Sequence, residues 1–237
     1  YEIICRIDGH SEISNNYVKT AVEILQQKNA VNVGGLMHAD SNTGLQRVIA
    51  QAMRSKLGVG SSKFHTGGSA GESDTVYLGT YKKSAVLAAG GFDERYIRAQ
   101  DWELNYRLRK NDGLIWFDPR LQVTYRPRRT FKKLARQYFQ YGRWRRVISR
   151  QHKNTVNFRY LAPPIAVIIN LLSIFFTFTI NPMFIAPFLT YFSILIIGSL
   201  FIGRKVSDKL LMPFVLATMH FSWGIGFLTS PKKLFKN

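Results

Sequence analysis

Residues 160–203 read YLAPPIAVIINLLSIFFTFTINPMFIAPFLTYFSILIIGSLFIG and hold no Asp, Glu, Lys or Arg. That is about twice the ~20 apolar residues needed to cross a ~30 Å hydrocarbon core. Asn181-Pro182 interrupts the run near its middle, where proline removes a helical hydrogen bond, so the stretch predicts two membrane spans joined by a tight turn. Core helices of soluble domains rarely reach such lengths. A further uncharged run, Leu210 to Pro231, is weaker, because it includes Pro213, His220, Gly224 and Gly226.

Toward the N-terminus, Arg126 to Arg150 carries ten basic residues and no acidic one. Phe131, Leu134, Tyr138, Tyr141, Trp144 and Ile148 are interleaved with them. This predicts a basic amphipathic helix of the kind that lies on an anionic membrane surface. The adjoining spans favour that reading over an ordinary solvated basic face. The positive-inside rule then puts this helix and the Arg204, Lys205, Lys209 loop on the cytoplasmic side. A third span would send Lys232, Lys233 and Lys236 to the other side, against the rule. That segment is therefore either a span that overrules the bias or a re-entrant or interfacial helix.

Charge is unevenly spread over the 237 residues: the net charge is +19, yet thirteen of the fourteen acidic residues lie at or before Asp118 and only Asp208 follows. Such a field attracts polyanions, whether lipid headgroups, polyphosphates or nucleic acid. Nucleic acid is disfavoured because the aromatic residues sit beside the spans and not on a stacking platform. Cys5 is the only cysteine, which excludes an intrachain disulfide and a cysteine-based zinc site. The chain opens at Tyr1 directly into an apolar run with no initiator Met or signal pattern, as expected of a fragment lacking its N-terminal part.

The first half alternates between strand and helix periods. Residues 2–7 read as a short strand ending at Asp8-Gly9; Val18, Ala21, Val22 and Leu25 recur at helical spacing; Val31 to Met37 is a second strand. Leu45, Val48, Ile49, Ala52 and Met53 form another helical stripe, followed by a long Gly/Ser-rich loop from Gly58 to Gly71. Thr75 to Gly79 is strand-like, and Ser84 to Ala89 is a short helix closed by Gly90-Gly91. Asp101 to Lys110 is a helix with a Glu103–Arg107 pair at i, i+4. Leu114 to Phe117 and Leu121 to Tyr125 read as two strands split by Asp118-Pro119. The order predicts an α/β domain.

Three separated signals carry chemistry: Asp8-Gly9-His10 at a strand end, Asp101 at a helix start, and Gln140-Tyr141-Gly142-Arg143-Trp144 on the basic helix. Singly, each has a plain structural explanation: a turn, an N-cap and a set of membrane-facing aromatic and basic residues. Together they resemble family 2 glycosyltransferases of the GT-A fold, and the subgroup similar to the succinoglycan-type glucosyltransferases in particular. The likeness continues through Arg6-Ile7, Asn32-Val33-Gly34-Gly35, Asp74-Thr75-Val76-Tyr77-Leu78-Gly79-Thr80, Gly90-Gly91-Phe92-Asp93-Glu94 and Gln100-Asp101-Trp102-Glu103-Leu104-Asn105-Tyr106-Arg107-Leu108. It covers most of residues 1–160.

The resemblance implies a GT-A domain over 1–127, incomplete at its N-terminus, a basic interfacial helix region over 128–159, and transmembrane helices over 160–231, two expected and a third open. It implies an inverting transfer of glucose or a similar sugar from a nucleotide-diphosphate sugar, a UDP-sugar by likeness, to a saccharide or polyprenyl-linked acceptor in cell-surface polysaccharide synthesis. A non-catalytic scaffold of the same fold, binding anionic lipid or a partner synthase, is the alternative. Asp8 takes the first position of the DxD motif that holds a divalent metal on the diphosphate. His10 stands where a second acid is usual, which suits Mn²⁺ better than Mg²⁺. Asp101 aligns with the catalytic base, with Gln100 in place of the usual Glu. Gln140, Arg143 and Trp144 fit QxxRW, beside donor diphosphate and acceptor sugar, and Gly79 and Thr80 join the donor-binding set. Asp93 and Glu94 are expected to shape a turn. The implied location is the inner (plasma) membrane, multi-pass, bound to membrane lipid with the catalytic domain facing the cytoplasm.

Overall fold

The computed structural model describes residues 1–9 and 11–235. In chain order the elements are β1 (Ile3–Cys5), β2 (Ser11–Ile13), α1 (Tyr17–Gln27), β3 (Asn32–Ala39), α2 (Gly44–Met53), α3 (Lys56–Val59), α4 (Lys63–Thr66), β4 (Gly71–Glu72), β5 (Tyr77–Lys82) and α5 (Lys83–Ala88). There follow α6 (Gln100–Lys110), β6 (Ile115–Tyr125), α7 (Phe131–Gln151), α8 (Phe158–Thr179), a 3-10 turn (Pro182–Ile185), α9 (Ala186–Ile202), α10 (Val206–Leu228) and a last 3-10 turn (Lys232–Leu234). They form two compact units, one of Tyr1–Asp40 with Ser61–Arg126, the other of Ser41–Gly60 with Pro127–Asn237. Residues 41–60, read from sequence as part of the first domain, thus fold with the second. The loop expected from Gly58 to Gly71 is also broken up, by the single turns α3 and α4.

The first unit is a mixed sheet in the order β1-β5-β3-β6-β2, with β4 paired to β6. Among the described residues only β3 and β6 run parallel. One apolar layer joins α1 to the sheet through Tyr17, Ala21, Ile24, Leu25, Val33, Leu78, Leu121 and Val123. Another joins α5 and α6 through Val76, Tyr81, Val86, Leu104, Leu108, Ile115 and Phe117. The α/β class is as expected, with a shift in α1: Tyr17 is buried and Val18 is 43% exposed. The Tyr17 ring supplies more apolar area than a valine, and its hydroxyl finds a partner inside by donating to Leu78 O at 3.0 Å.

Asp118-Pro119 does not end a strand. β6 is continuous, and the interruption appears as a slip in its pairing with β3, from Gly34 opposite Phe117 to Leu36 opposite Gln122. Arg120 secures the bulge, donating its N–H to Asp118 Oδ1 at 3.0 Å and pairing Nη2 with Oδ2 at 2.9 Å. Burial alone would raise the Asp118 pKa, but these bonds hold it below the usual carboxylate range. Gly34-Gly35 lies at the slip because no side chain fits there: a Cβ on Gly35 would lie 1.7 Å from Leu121 O, and one on Gly34 2.6 Å from Tyr77 O.

In the second unit, α7 begins at a Thr130 cap whose hydroxyl accepts the Lys133 N–H at 3.2 Å. The apolar face of α7, expected to meet lipid, is instead buried at Leu134, Tyr138, Val147 and Ile148 and packs on α10. Small residues permit this approach. A Cβ on Gly142 would lie 2.0 Å from Trp223 O, and one on Gly226 2.1 Å from Phe139 O. Gly142→Ala should therefore destabilise the full-length protein in detergent by about 1–3 kcal/mol, the usual range for overpacking. A thermal midpoint equal to wild type would refute that close crossing.

Among the described residues, three helices are long and apolar enough to cross a membrane: Phe158–Thr179, Pro182–Ile202 and Val206–Leu228. The break at Asn181-Pro182 falls at the 3-10 turn, where Asn181 Oδ1 accepts the Met183 N–H at 2.9 Å. The third helix starts at Val206, earlier than the uncharged run, and is the most buried, 39% against 22% and 11%.

Candidate active site

β1 and β2 lie at opposite edges of the first unit's sheet, so the few residues between them must carry the chain across it. Asp8 sits on that crossing, its backbone carbonyl taking the Ser11 N–H at 2.9 Å. Its side chain is 28% exposed and pairs with Arg6 Nη2 at 3.3 Å. The Arg6 guanidinium in turn lies 5.8 Å from the Phe92 ring centre. His10 lies outside the described residues.

Beside this crossing stands Tyr77, at the start of β5. The β3–β5 ladder slips between Val33 opposite Thr80 and Gly35 opposite Tyr77, and the residue that takes up the slip, Leu78, has φ 48°. A left-handed leucine is strained by roughly 1–2 kcal/mol, and strain of this kind collects at functional sites. Tyr77 Oη is 3.2 Å from Ser11 Oγ. Burial pushes the Tyr77 phenol up to about 12, the Ser11 bond opposes the rise, and the Asp8, Tyr125 and Asp101 charges add to it.

Asp101 is not the N-cap that the sequence allowed. The cap is Ala99, in the left-handed region at φ 61°, and Asp101 is the second residue of α6. Its Oδ1 still accepts a backbone N–H, from Trp102 at 2.8 Å. Oδ2 has no hydrogen-bond partner among the described residues. α6 is fixed to the sheet by a buried amide chain: Asn32 Nδ2 donates to Asn105 Oδ1 at 2.7 Å, and Asn105 Nδ2 donates to Thr75 Oγ1 at 2.9 Å. This chain positions the helix start, and Asp101 with it.

Gly79 and Thr80, expected in the donor-binding set, are buried in the sheet. Thr80 is fully buried and donates its hydroxyl to Cys5 Sγ at 3.3 Å. A Cβ on Gly79 would lie 2.5 Å from Asn32 Oδ1. Sequence reasoning missed Tyr77 and Arg6, although both lie within the quoted motifs. Strand alternation could not reveal Tyr77, because the bulge at Leu78 resets which residues share a face. Asp93 and its neighbours shape a turn as expected: Arg95 donates Nε and its backbone N–H to Asp93 Oδ1, both at 3.0 Å. The Arg95 side chain is also the main reason the Asp93 pKa is lowered.

Gln140, Arg143 and Trp144 belong to the second unit and share one face of α7 by their i, i+3, i+4 spacing. Arg143 lies with its guanidinium carbon 5.4 Å from the Phe139 ring centre, and its Nε is buried without a hydrogen-bond partner among the described residues. Trp144 is only 2% exposed. No cluster of three or more His, Cys, Asp or Glu able to hold a metal is found among the described residues. A divalent ion bound largely by substrate phosphates needs only one or two protein carboxylates, and Asp8, partly exposed with Oδ2 unpaired among the described residues, fits that lesser role.

No family model matches the chain. Over 162 residues it is 32% identical to the succinoglycan biosynthesis protein ExoA of Rhizobium meliloti (strain 1021), covering 68% of this chain and 49% of that protein. Over 144 residues it is 27% identical to a dolichyl N-acetyl-alpha-D-glucosaminyl phosphate 3-beta-D-2,3-diacetamido-2,3-dideoxy-beta-D-glucuronosyltransferase of Methanococcus voltae, covering 56% and 43%. The chain spans about half the length, or less, of the curated relatives it matches. Over more than half of its length the chain is thus similar to a succinoglycan biosynthesis protein and to a glucuronosyltransferase.

Proposed function

We propose that the full-length protein is an inverting glycosyltransferase of the GT-A type. It moves a sugar from a nucleotide-diphosphate donor, a UDP-sugar by family likeness, to a saccharide or polyprenyl-linked acceptor in polysaccharide synthesis at the cytoplasmic face of the plasma membrane. What supports this reading is the similarity to the two relatives, together with Asp8 on the sheet crossing and Asp101 in the first turn of α6. One carboxylate is half-open beside an arginine, and the other sits in the first turn of a helix with an oxygen to spare.

In this reading Asp101 Oδ2 takes the proton from an acceptor hydroxyl as its oxygen bonds to the anomeric carbon. The bond from that carbon to the diphosphate breaks on the opposite face, which inverts the configuration. Tyr77, kept protonated, shares a hydrogen bond with Ser11 at the sheet crossing. By likeness to the QxxRW motif, Arg143 would supply a planar fork for diphosphate oxygens. Gln140 lies on the same helix face. A divalent ion held by Asp8 and His10 would neutralise charge on the leaving diphosphate.

The test is a screen of nucleotide sugars with the full-length protein in native membranes, with products read by mass spectrometry. Transfer should vanish with chelator and return best with Mn²⁺. His10→Asp should shift the preference toward Mg²⁺. Full transfer in chelator would remove the metal from the proposal, and no transfer or hydrolysis of any donor would leave the scaffold reading in its place.

A further inference from the structure

α10 is the segment whose relation to the membrane the sequence leaves open, and both of its ends are tied down within the second unit. At its start the buried Asp208 pairs with Arg47 Nη2 of α2 at 2.7 Å and accepts Gln51 Nε2 at 2.9 Å. Gln51 Oε1 also takes the Arg204 N–H at 3.2 Å. Just past its end, Ser230 donates its hydroxyl to Arg143 O at 3.0 Å, and its carbonyl accepts Arg150 Nη2 at 2.8 Å. α2 is in turn joined to the residues leading into α7, by Gln46 Nε2 donating to Pro127 O at 2.7 Å. α7 therefore runs beside α10: its entry lies near α2, its Gly142 meets Trp223 and Phe227, and its last turn reaches Ser230.

α7 carries seven basic residues and no acidic one, and charges at the centre of a bilayer cost several kcal/mol each. Such a helix cannot cross. A crossing α10, about 34 Å long, would have its two ends on opposite membrane faces, yet both are fastened to this one charged frame. α10 meets the α8–α9 hairpin at its open end, where a Gly224 Cβ would lie 2.6 Å from Pro163 O and a Gly203 Cβ 2.7 Å from Lys209. It also meets α9 farther along, where Tyr191 Oη lies 3.1 Å from His220 Nδ1.

The two sides of α10 also differ. Met212, Val215, Leu216 and Met219 are fully buried, whereas Val206, Leu210, Phe214, Ile225 and Leu228 are exposed and fall on one face at helical spacing. We propose that α10 lies in the plane of the membrane interface with this apolar stripe in the acyl chains, so that the second unit crosses the bilayer twice, through α8 and α9. The occupant of the stripe is lipid, because it continues the apolar surface of the hairpin and the basic α7 alongside suits anionic headgroups. The arrangement also puts Arg204 and Lys205 on the same side as Lys232 and Lys233, as the positive-inside rule asks.

Single cysteines at Arg204, Met183 and Lys233, in the full-length protein with Cys5→Ser, test this by labelling with a membrane-impermeant maleimide in sealed vesicles of each orientation. Arg204→Cys and Lys233→Cys should label from one side and Met183→Cys from the other. Where Lys233→Cys reacts poorly, a protease site inserted after Leu234 reads the same side by cleavage. Labelling or cleavage near Lys233 from the Met183 side makes α10 a third span and overturns the proposal. Met183→Cys labelling from the Arg204 side overturns it too, by removing the hairpin's crossing.

Discussion

Asp101→Asn is expected to lower glycosyl transfer by the full-length protein by about 10² to 10⁴, roughly 3 to 5 kcal/mol in the barrier, as loss of a positioned base does. Donor affinity should stay within a few-fold, because an amide of the same shape removes no contact to the nucleotide. The structure sharpens the control. Asp101 is not the helix cap, so the fold loses only the favourable placement of a negative charge in the first turn of α6, worth about 0.3–1 kcal/mol. An asparagine oxygen can still accept the Trp102 N–H. Turnover, donor binding and thermal midpoint of wild type and variant separate the two roles. Full turnover with Asn in place would remove Asp101 from the chemistry, and an activity loss no larger than the stability loss would make it a structural residue of the helix start.

Much of the fold was legible because its signals are local. The alternation of periods gave the α/β order, the uncharged run gave the α8–α9 hairpin with its break at Asn181-Pro182, and Glu103–Arg107 was visible as an i, i+4 pair. What escaped depends on partners distant in sequence. The helical stripe at Leu45, Val48, Ile49, Ala52 and Met53 was readable, but nothing local says that it packs with α10, about 160 residues later. That is decided by Arg47 and Gln51 finding Asp208, the one acidic residue of the basic half. Asp118-Pro119 looked like a strand end because proline cannot serve a regular ladder, whereas the bulge opposite Gly34-Gly35 absorbs it. The same limit holds at the site. Asp8 and Asp101 could be named from motifs, but Tyr77 needed the sheet crossing and the slip at Leu78 to come beside Ser11. Trp144 could likewise be named from its motif, but not its burial in the packed α7.

Glu103→Ala is expected to destabilise the first unit by about 3–5 kcal/mol, the cost of leaving one partner of a buried ion pair uncompensated. The sequence presents Glu103 and Arg107 as a surface pair of a few tenths of a kcal/mol, but Glu103 is only 2% exposed. Arg107 meets it as a fork, Nε to Oε1 at 2.8 Å and Nη2 to Oε2 at 2.7 Å. The same guanidinium holds the turn after α5, through Gly91 O at 2.8 Å and also Ala89 O. Removing Glu103 leaves a partly buried cation and loosens the first turn of α6, two residues from Asp101, so transfer should fall with stability. Glu103→Gln keeps an acceptor without the charge and should lie between wild type and Ala. Arg107→Ala should resemble Glu103→Ala, and the double variant should cost less than the sum of the two singles, by about 0.5–3 kcal/mol of coupling. Thermal midpoints of the four proteins in detergent measure this directly. If Glu103→Ala costs no more than about 0.5 kcal/mol, the pair is the surface ornament its spacing suggests, and the turn at Gly90-Gly91 is held by something other than Arg107.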